Sequence, residues 1–433
     1  MTRIEQLYDL YLHYPVICTD SRAVTEDCIF FALKGESFNG NAYAAGALSN
    51  GAALAVVDEP KVAVDERFFL VEDVLTALQE MAQLHRSHFK GPVLGITGTN
   101  GKTTTKELIN AVLGEGYTTH ATQGNLNNHI GVPLTILSAD LAKTSMLIIE
   151  MGANHPGEIA FLCNIARPDF GLITNVGKAH LEGFGSIEGV IKTKTELYNF
   201  LKSTNGKAFV CSNQPVLMQH AKDLNHLSYG SATGDYCRGQ IVSSDPFLVE
   251  KWFNEEAEQL IQTQLVGAYN ADNVMAAVCV GKYFGVAAGK IVAAIEKYVP
   301  SNNRSQVLQS ASNQLILDAY NANPSSMRVA LENFALMNAS SKAVILGDMF
   351  ELGAESRSEH KAIVNLLKNY NFSQAILIGP RFSEVAGEAG LQSFGSTTEA
   401  YDWLVANPIT NANILVKGSR GMKLEILLPA LSI

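Results

Sequence analysis

No two cysteines of this chain stand at C-x-x-C spacing; Cys18, Cys28, Cys163, Cys211, Cys237 and Cys279 are scattered through apolar or mixed segments. That pattern excludes a disulfide framework and a thiolate zinc site, and it predicts reduced, structural thiols. No apolar run is long enough to span a bilayer. The opening MTRIEQLYDLYLHYPVICTD has neither an apolar core nor a small-residue cleavage site, so no signal peptide is expected and a cytoplasmic location is. Excess positive charge is also missing. The formal charge of -10 argues against a protein that coats nucleic acid, although it leaves room for a local cationic pocket. There is no short-period repeat and no low-complexity tract.

What is present describes a folded enzyme of several units. Hydrophobic residues make up 47% and charged residues 17% of 433 residues, a length that suggests two to four domains. Short strand-like runs at 28–33, 52–58 and 68–73 precede a helical stretch at 76–89, which places Leu78, Met81, Ala82 and His85 on one face. Gly91-Pro92 ends that unit. From Val93 onwards, strands alternate with helices of about ten residues, which predicts a mostly parallel sheet covered on both faces. Helices are expected at 189–202, 271–284 and 288–298, and antiparallel strands within 226–266. After Pro300–Asn303 the alternation resumes as a smaller Rossmann-like unit, with helices at 325–337 and 358–369 and a last helix after NILVKGS. The expected fold is therefore α/β in three domains, 1–91, 92–302 and 303–433, with a phosphate-loop sheet at the centre.

The strongest chemical signal is Gly95-Ile96-Thr97-Gly98-Thr99-Asn100-Gly101-Lys102-Thr103, which follows a buried strand and opens a helix. Glycines let the backbone aim N–H groups at phosphate oxygens, and the helix N-terminus adds positive potential. Lys102 can neutralise β- and γ-phosphates, and the Thr103 hydroxyl can ligate Mg²⁺. Ile96 departs from the strict pattern, which has glycine there. Glu150 ends the strand SMLIIE, and His180 follows the next strand at the equivalent edge; both suit a metal site beside phosphates. Composition alone reads Lys192 and Lys194 as a solvated helix face.

The segments GITGTNGKTTTKE, QGNLNNHIGVPLT, EMGANHPGEI, NVGKAHLEGFGSIEGVIKTKTEL, DAYNANPSSM, LGDMFELG and VKGSRGMKLE resemble the Mur ligases over nearly the whole chain. Among these ligases the motifs are most similar to those of the member that joins D-alanyl-D-alanine to a UDP-muramyl tripeptide, and TDSR at 19–22 with FALKGESFNG at 31–40 resembles its uridine-nucleotide module. The resemblance implies an ATP-driven amide ligase of peptidoglycan synthesis with two Mg²⁺ sites. It implies that Gly98, Thr99, Asn100, Gly101, Lys102, Thr103 and Thr104 hold the ATP phosphates. Thr103 and Glu150 would ligate one Mg²⁺, and His180 with a carbamylated Lys194 the other. Asn270 and Asn273 would hold adenine, and Arg304 and Asp318 would reach the nucleotide from the third domain. Asp20, Ser21, Arg22, Lys34 and Gly35 would hold the UDP end, with Asn125, Asn127 and Asn128 on the muramyl-peptide side. Asn303, Leu317 and Asn41 depart from common family residues. A monomer is expected, with no nucleic-acid partner. Another Mur ligase, a folylpolyglutamate-synthase-like ligase and a phosphate-loop NTPase switch are the alternatives.

Overall fold

The computed structural model describes residues 2–255, 257–301 and 303–431. Asn302, within the expected second boundary, lies outside the described residues.

Three main sheets divide the chain. The first has four parallel strands in the spatial order Ile17–Cys18, Ile29–Phe31, Leu54–Val57, Phe68–Leu70. The helix Val74–His88 closes this unit. Asp73 caps it, its carboxylate accepting from Thr76 N at 2.7 Å, which satisfies one of the amides a helix start leaves unpaired. Leu78, Met81, Ala82 and His85 are all buried, as the helical spacing predicts. The helix Arg3–His13 packs on it, and its Leu7, Tyr8 and Tyr11 share one core with Val93, Leu147 and Ile149 of the next sheet.

That second sheet has nine strands. Val93–Thr97 lies between Phe170–Ile173 and Met146–Glu150, all parallel. Its residues are buried on both faces, Val93 in one core and Leu94 and Ile96 in the other, so the strand reads as an uninterrupted apolar run. His226–Gly230 is parallel to Lys207–Cys211 and Cys237–Ser244 is parallel to His226–Gly230, whereas Phe247–Phe253 pairs antiparallel with both Cys237–Ser244 and Glu258–Val266, as expected within 226–266. The third sheet has six strands, parallel except for the edge pair Gln306–Gln309 and Gln314–Asp318. All six cysteines are free and buried.

Two expected helices differ. The stretch 189–202 is two helices, Ile187–Lys194 and Glu196–Thr204, broken at Thr195. The Thr195 hydroxyl donates to Ile191 O at 2.9 Å, and the Glu196 carboxylate accepts from Gly157 N at 2.8 Å and Ala160 N at 2.9 Å. Side-chain bonds to the backbone bend the first helix and tie the second to its neighbour. The terminal helix is instead a series of single turns, Arg420–Met422, Leu424–Leu427 and Leu428–Leu431. No described helix is long and apolar enough to cross a membrane.

Candidate active site

The carboxyl ends of the central parallel strands open into a cavity of about 760 Å³, bounded on its far side by the third sheet's loops. Ligands of open α/β sheets bind at this edge. The turn after Val93–Thr97 has Gly98 at φ 144° and Gly101 at φ 78°. A Cβ on Gly98 would fall 2.0 Å from the Thr174 hydroxyl, so only glycine fits there. Gly101 precedes the helix Lys102–Leu113, whose N-terminal amides face the cavity. The neighbouring strand's Thr174 and Asn175 fix the loop. Asn100 N donates to Asn175 Oδ1 at 3.0 Å, and Asn100 O accepts from Thr174 Oγ1 at 2.6 Å and Asn175 Nδ2 at 3.0 Å. Neither residue was singled out from sequence, because an Asn or Thr at a strand end carries no spacing signal of its own.

Lys102 Nζ donates to Gly98 O at 2.8 Å and Thr99 O at 3.0 Å, within its own loop. Desolvation pulls this ammonium's pKa down; the Glu150 carboxylate opposes the shift and the Arg304 guanidinium adds to it. Glu150 is 1% exposed. Its Oε1 accepts from Thr103 Oγ1 at 3.2 Å and Asn127 Nδ2 at 2.8 Å, while Oε2 has no partner among the described residues. An unpartnered buried polar atom costs about 1–3 kcal/mol, more when charged. Among the described residues no three His, Cys, Asp or Glu side chains form a cation cage. One orphan carboxylate oxygen beside a threonine hydroxyl and a phosphate loop instead fits Mg²⁺, which takes few protein ligands and completes its shell with water and phosphate oxygens.

His180 lines the same cavity, with its Nδ1 against a Glu351 carboxylate oxygen from the third sheet's loops. That contact holds the Glu351 carboxyl below its usual range. His180 packs edge-on to Phe184, and the same ring carries Lys194 Nζ 5.5 Å from its centroid. Lys192 is exposed as composition suggests, but Lys194 is 2% exposed, with Nζ donating to Ala153 O at 3.3 Å. Burial pushes its pKa well below the ordinary lysine range; the Lys102 charge adds to the shift, and Glu158 and Glu196 oppose it.

At the other end of the cavity Asn270 and Asn273 are buried in a relay. Thr105 Oγ1 donates to Asn273 Oδ1 at 2.9 Å, Asn273 Nδ2 to Asn270 Oδ1 at 2.9 Å, and Asn270 Nδ2 to Val266 O at 2.9 Å. Across from them, Arg304 lies 3.6 Å over the Tyr320 ring with Nε unpartnered among the described residues, and Asp318 pairs with the buried Lys417. Lys417, on the strand Asn413–Lys417, and Tyr320 were not singled out from sequence. Asn125, Asn127 and Asn128 also line the cavity, along with Thr99, Asn100 and Thr104. Asn127 serves Glu150, and the Asn128 side-chain carbonyl accepts from Gly131 N at 2.8 Å.

The expected uridine residues lie apart from this cavity, all at the carboxyl ends of the first sheet's strands. Asp20 accepts from Arg22 N at 2.9 Å with Ser21 between them. Lys34 pairs with Asp58 at 2.8 Å, and Asn41 Nδ2 donates to Asp58 at 2.8 Å. Gly35 sits on the short hairpin formed with Phe38–Asn39.

Three family models match successive stretches: the Mur ligase family catalytic domain over 13–86, the Mur ligase middle domain over 96–281, and the Mur ligase glutamate ligase domain over 303–420. The UDP-N-acetylmuramoyl-tripeptide–D-alanyl-D-alanine ligase of Bacillus subtilis is 35% identical over 94% of this chain and 91% of its own length. A crystal structure of MurF from Acinetobacter baumannii superposes with a TM-score of 0.87 at 30% identity, covering 96% of this chain and 93% of that one. MurF ligase from Thermotoga maritima in complex with ADP superposes at 0.85 with 26% identity, covering 98% of each chain. The chain belongs to the Mur ligase family.

Proposed function

We propose that this protein is an ATP-dependent ligase that joins the terminal carboxylate of UDP-N-acetylmuramoyl-tripeptide to the amine of D-alanyl-D-alanine in peptidoglycan synthesis. Near-full-length similarity to ligases of that name supports the reading. The observation that carries it is the meeting of two elements in one cavity. The phosphate loop and the start of the third unit's helix Pro324–Leu336 face each other, Asn323 Nδ2 donating to Asn100 Oδ1 at 2.8 Å. A nucleotide switch has no use for that third unit; a ligase needs it to bring an amine to an activated carboxylate. Domains at 1–91, 92–302 and 303–433 are proposed to take the UDP-sugar end, ATP and the dipeptide respectively.

The tripeptide carboxylate attacks the γ-phosphorus of ATP, ADP leaves, and the dipeptide amine then attacks the resulting acyl phosphate. Phosphate departs with one former carboxylate oxygen. Lys102 would leave its loop carbonyls for the transferring phosphoryl group, where a preorganised charge acts most strongly. Gly98, Thr99, Asn100, Gly101 and Thr104 would cradle phosphates, Asn270 and Asn273 would hold the adenine, and Arg304 and Asp318 would close over the nucleotide. Thr103 and Glu150 would hold one Mg²⁺, and His180 with carbamylated Lys194 a second. Bound Mg²⁺ supplies positive charge against the phosphoryl oxygens. Lys194 suits carbamylation because its buried amine is disposed to be neutral, the form that adds CO₂. Asp20, Ser21, Arg22, Lys34 and Gly35 would bind the uridine nucleotide, and Asn125, Asn127 and Asn128 would border the peptide. Positioning three substrates supplies most of the acceleration. A cytoplasmic monomer is part of the same proposal.

Tripeptide bearing ¹⁸O in its terminal carboxylate should place one ¹⁸O in the released phosphate as UDP-muramyl pentapeptide forms. Unlabelled phosphate would contradict the acyl-phosphate route.

A further inference from the structure

The contact between His180 Nδ1 and a Glu351 carboxylate oxygen crosses from the central sheet's edge to the third unit; it is an ion-pair contact rather than a formed hydrogen bond, and the buried Nδ1 has no hydrogen-bond partner among the described residues. Both residues hold left-handed backbones, φ 50° and 62°, although neither is glycine. Such conformations cost on the order of 1–3 kcal/mol each and persist where surroundings over-determine them. The loop bearing Glu351 is pinned from both sides. Met349 N donates to His360 Nε2 at 3.0 Å, Phe350 N to Ser419 Oγ at 2.9 Å, and Ser419 N to Asp348 O at 3.1 Å. Asp348, His360 and Ser419 are buried. Facing it, Glu182 N donates to Glu351 O at 3.4 Å. Yet the Glu351 side chain is 53% exposed, so packing does not force its carboxylate onto the imidazole.

We infer that Glu351 is a positioning residue, its carboxylate accepting the Nδ1–H of His180 and leaving Nε2 as the bare, lone-pair nitrogen that a divalent cation requires. A metal-binding histidine is commonly oriented through its other nitrogen in this way. Here the orienting group comes from the amine-side unit, so the imidazole is set only when that unit is docked. The inference rests on the ligase reading for the role of His180.

The test compares Glu351→Ala and Glu351→Gln with the parent in the full chain, folding being checked by circular dichroism. Long-range ¹H–¹⁵N spectra of histidine-labelled protein identify the His180 signal by its loss in His180→Ala. The parent should show a protonated Nδ1. Glu351→Ala should shift the signal toward the Nε2–H tautomer and lower kcat for dipeptide-dependent turnover about 10–100-fold. Glu351→Gln, whose amide oxygen still accepts, should lie closer to the parent in both readouts. An unchanged His180 signal in Glu351→Ala, an unchanged kcat, or a glutamine variant no better than alanine would overturn the inference. Parental protein without dipeptide-dependent turnover would defeat the ligase reading instead, while the tautomer comparison would still decide whether Glu351 orients His180.

Discussion

Asn323 performs two tasks with one amide: its Oδ1 accepts from Ser326 N at 2.8 Å, capping the helix Pro324–Leu336, while its Nδ2 donates to Asn100 Oδ1 at 2.8 Å in the phosphate loop. Helix start and nucleotide loop are thereby held in register across two units.

The two tasks separate by substitution. Asn323→Ala should lower stability by about 1 kcal/mol through the lost cap. Asn323→Ser keeps a capping oxygen and should melt above Asn323→Ala, yet lose about fivefold in turnover, the value of one hydrogen bond near 1 kcal/mol. Thermal unfolding and phosphate release read the two effects independently.

Lys102→Ala should lower ATP-dependent turnover about 10²–10³-fold, the loss typical of removing one preorganised group that stabilises transition-state charge. Among the described residues its ammonium bonds two carbonyls of its own loop while burial disfavours its charge, so the melting temperature should not fall appreciably. Initial rates at saturating substrates check the first statement and calorimetry the second.

Glu150→Gln tests the orphan oxygen. An amide in place of the carboxylate removes a buried charge that lacks a partner on Oε2 among the described residues. The variant should melt at or above the parental temperature without Mg²⁺, yet need more Mg²⁺ for half-maximal rate. A parental Mg²⁺ titration curve would contradict the assignment.

Lys194 links activity to pH and stability. Its folded pKa lies below the ordinary value of 10.5, so the unfolded chain binds more protons and stability rises with pH up to that value. The lysine therefore costs most below its folded pKa and nothing above 10.5. In bicarbonate-free buffer Lys194→Met should melt higher than the parent, by a gain on the order of 1 kcal/mol, with the difference shrinking as pH rises. It should also lose turnover that bicarbonate sustains in the parent. A gap that widens with pH would contradict the sign.

The phosphate loop was legible because its residues are contiguous and their spacing is itself the mechanism; Val93–Thr97 and the turn after it appear where the apolar run and glycines place them. The buried face at Leu78, Met81, Ala82 and His85 was legible for the same reason, a period local to one helix. Lys194 was not, because nothing in IKTKTELY distinguishes a buried lysine from the exposed Lys192; its surroundings, the Phe184 ring and the Ala153 carbonyl, come from other segments. Asn175, Glu351 and Lys417 escaped notice because their partners lie 75, 171 and 99 residues away, at Asn100, His180 and Asp318. Such pairs exist only once separate sheet edges have been assembled. The terminal turns after Lys417 read as a helix because leucine spacing is shared by an α-helix and a chain of single turns.

The most direct measurement is phosphate release from ATP by the purified protein with UDP-N-acetylmuramoyl-tripeptide present and D-alanyl-D-alanine added or omitted. Release should require both, with UDP-muramyl pentapeptide identified by mass. ATP turnover indifferent to the two substrates, or dependent on a different amine, would contradict the proposed function.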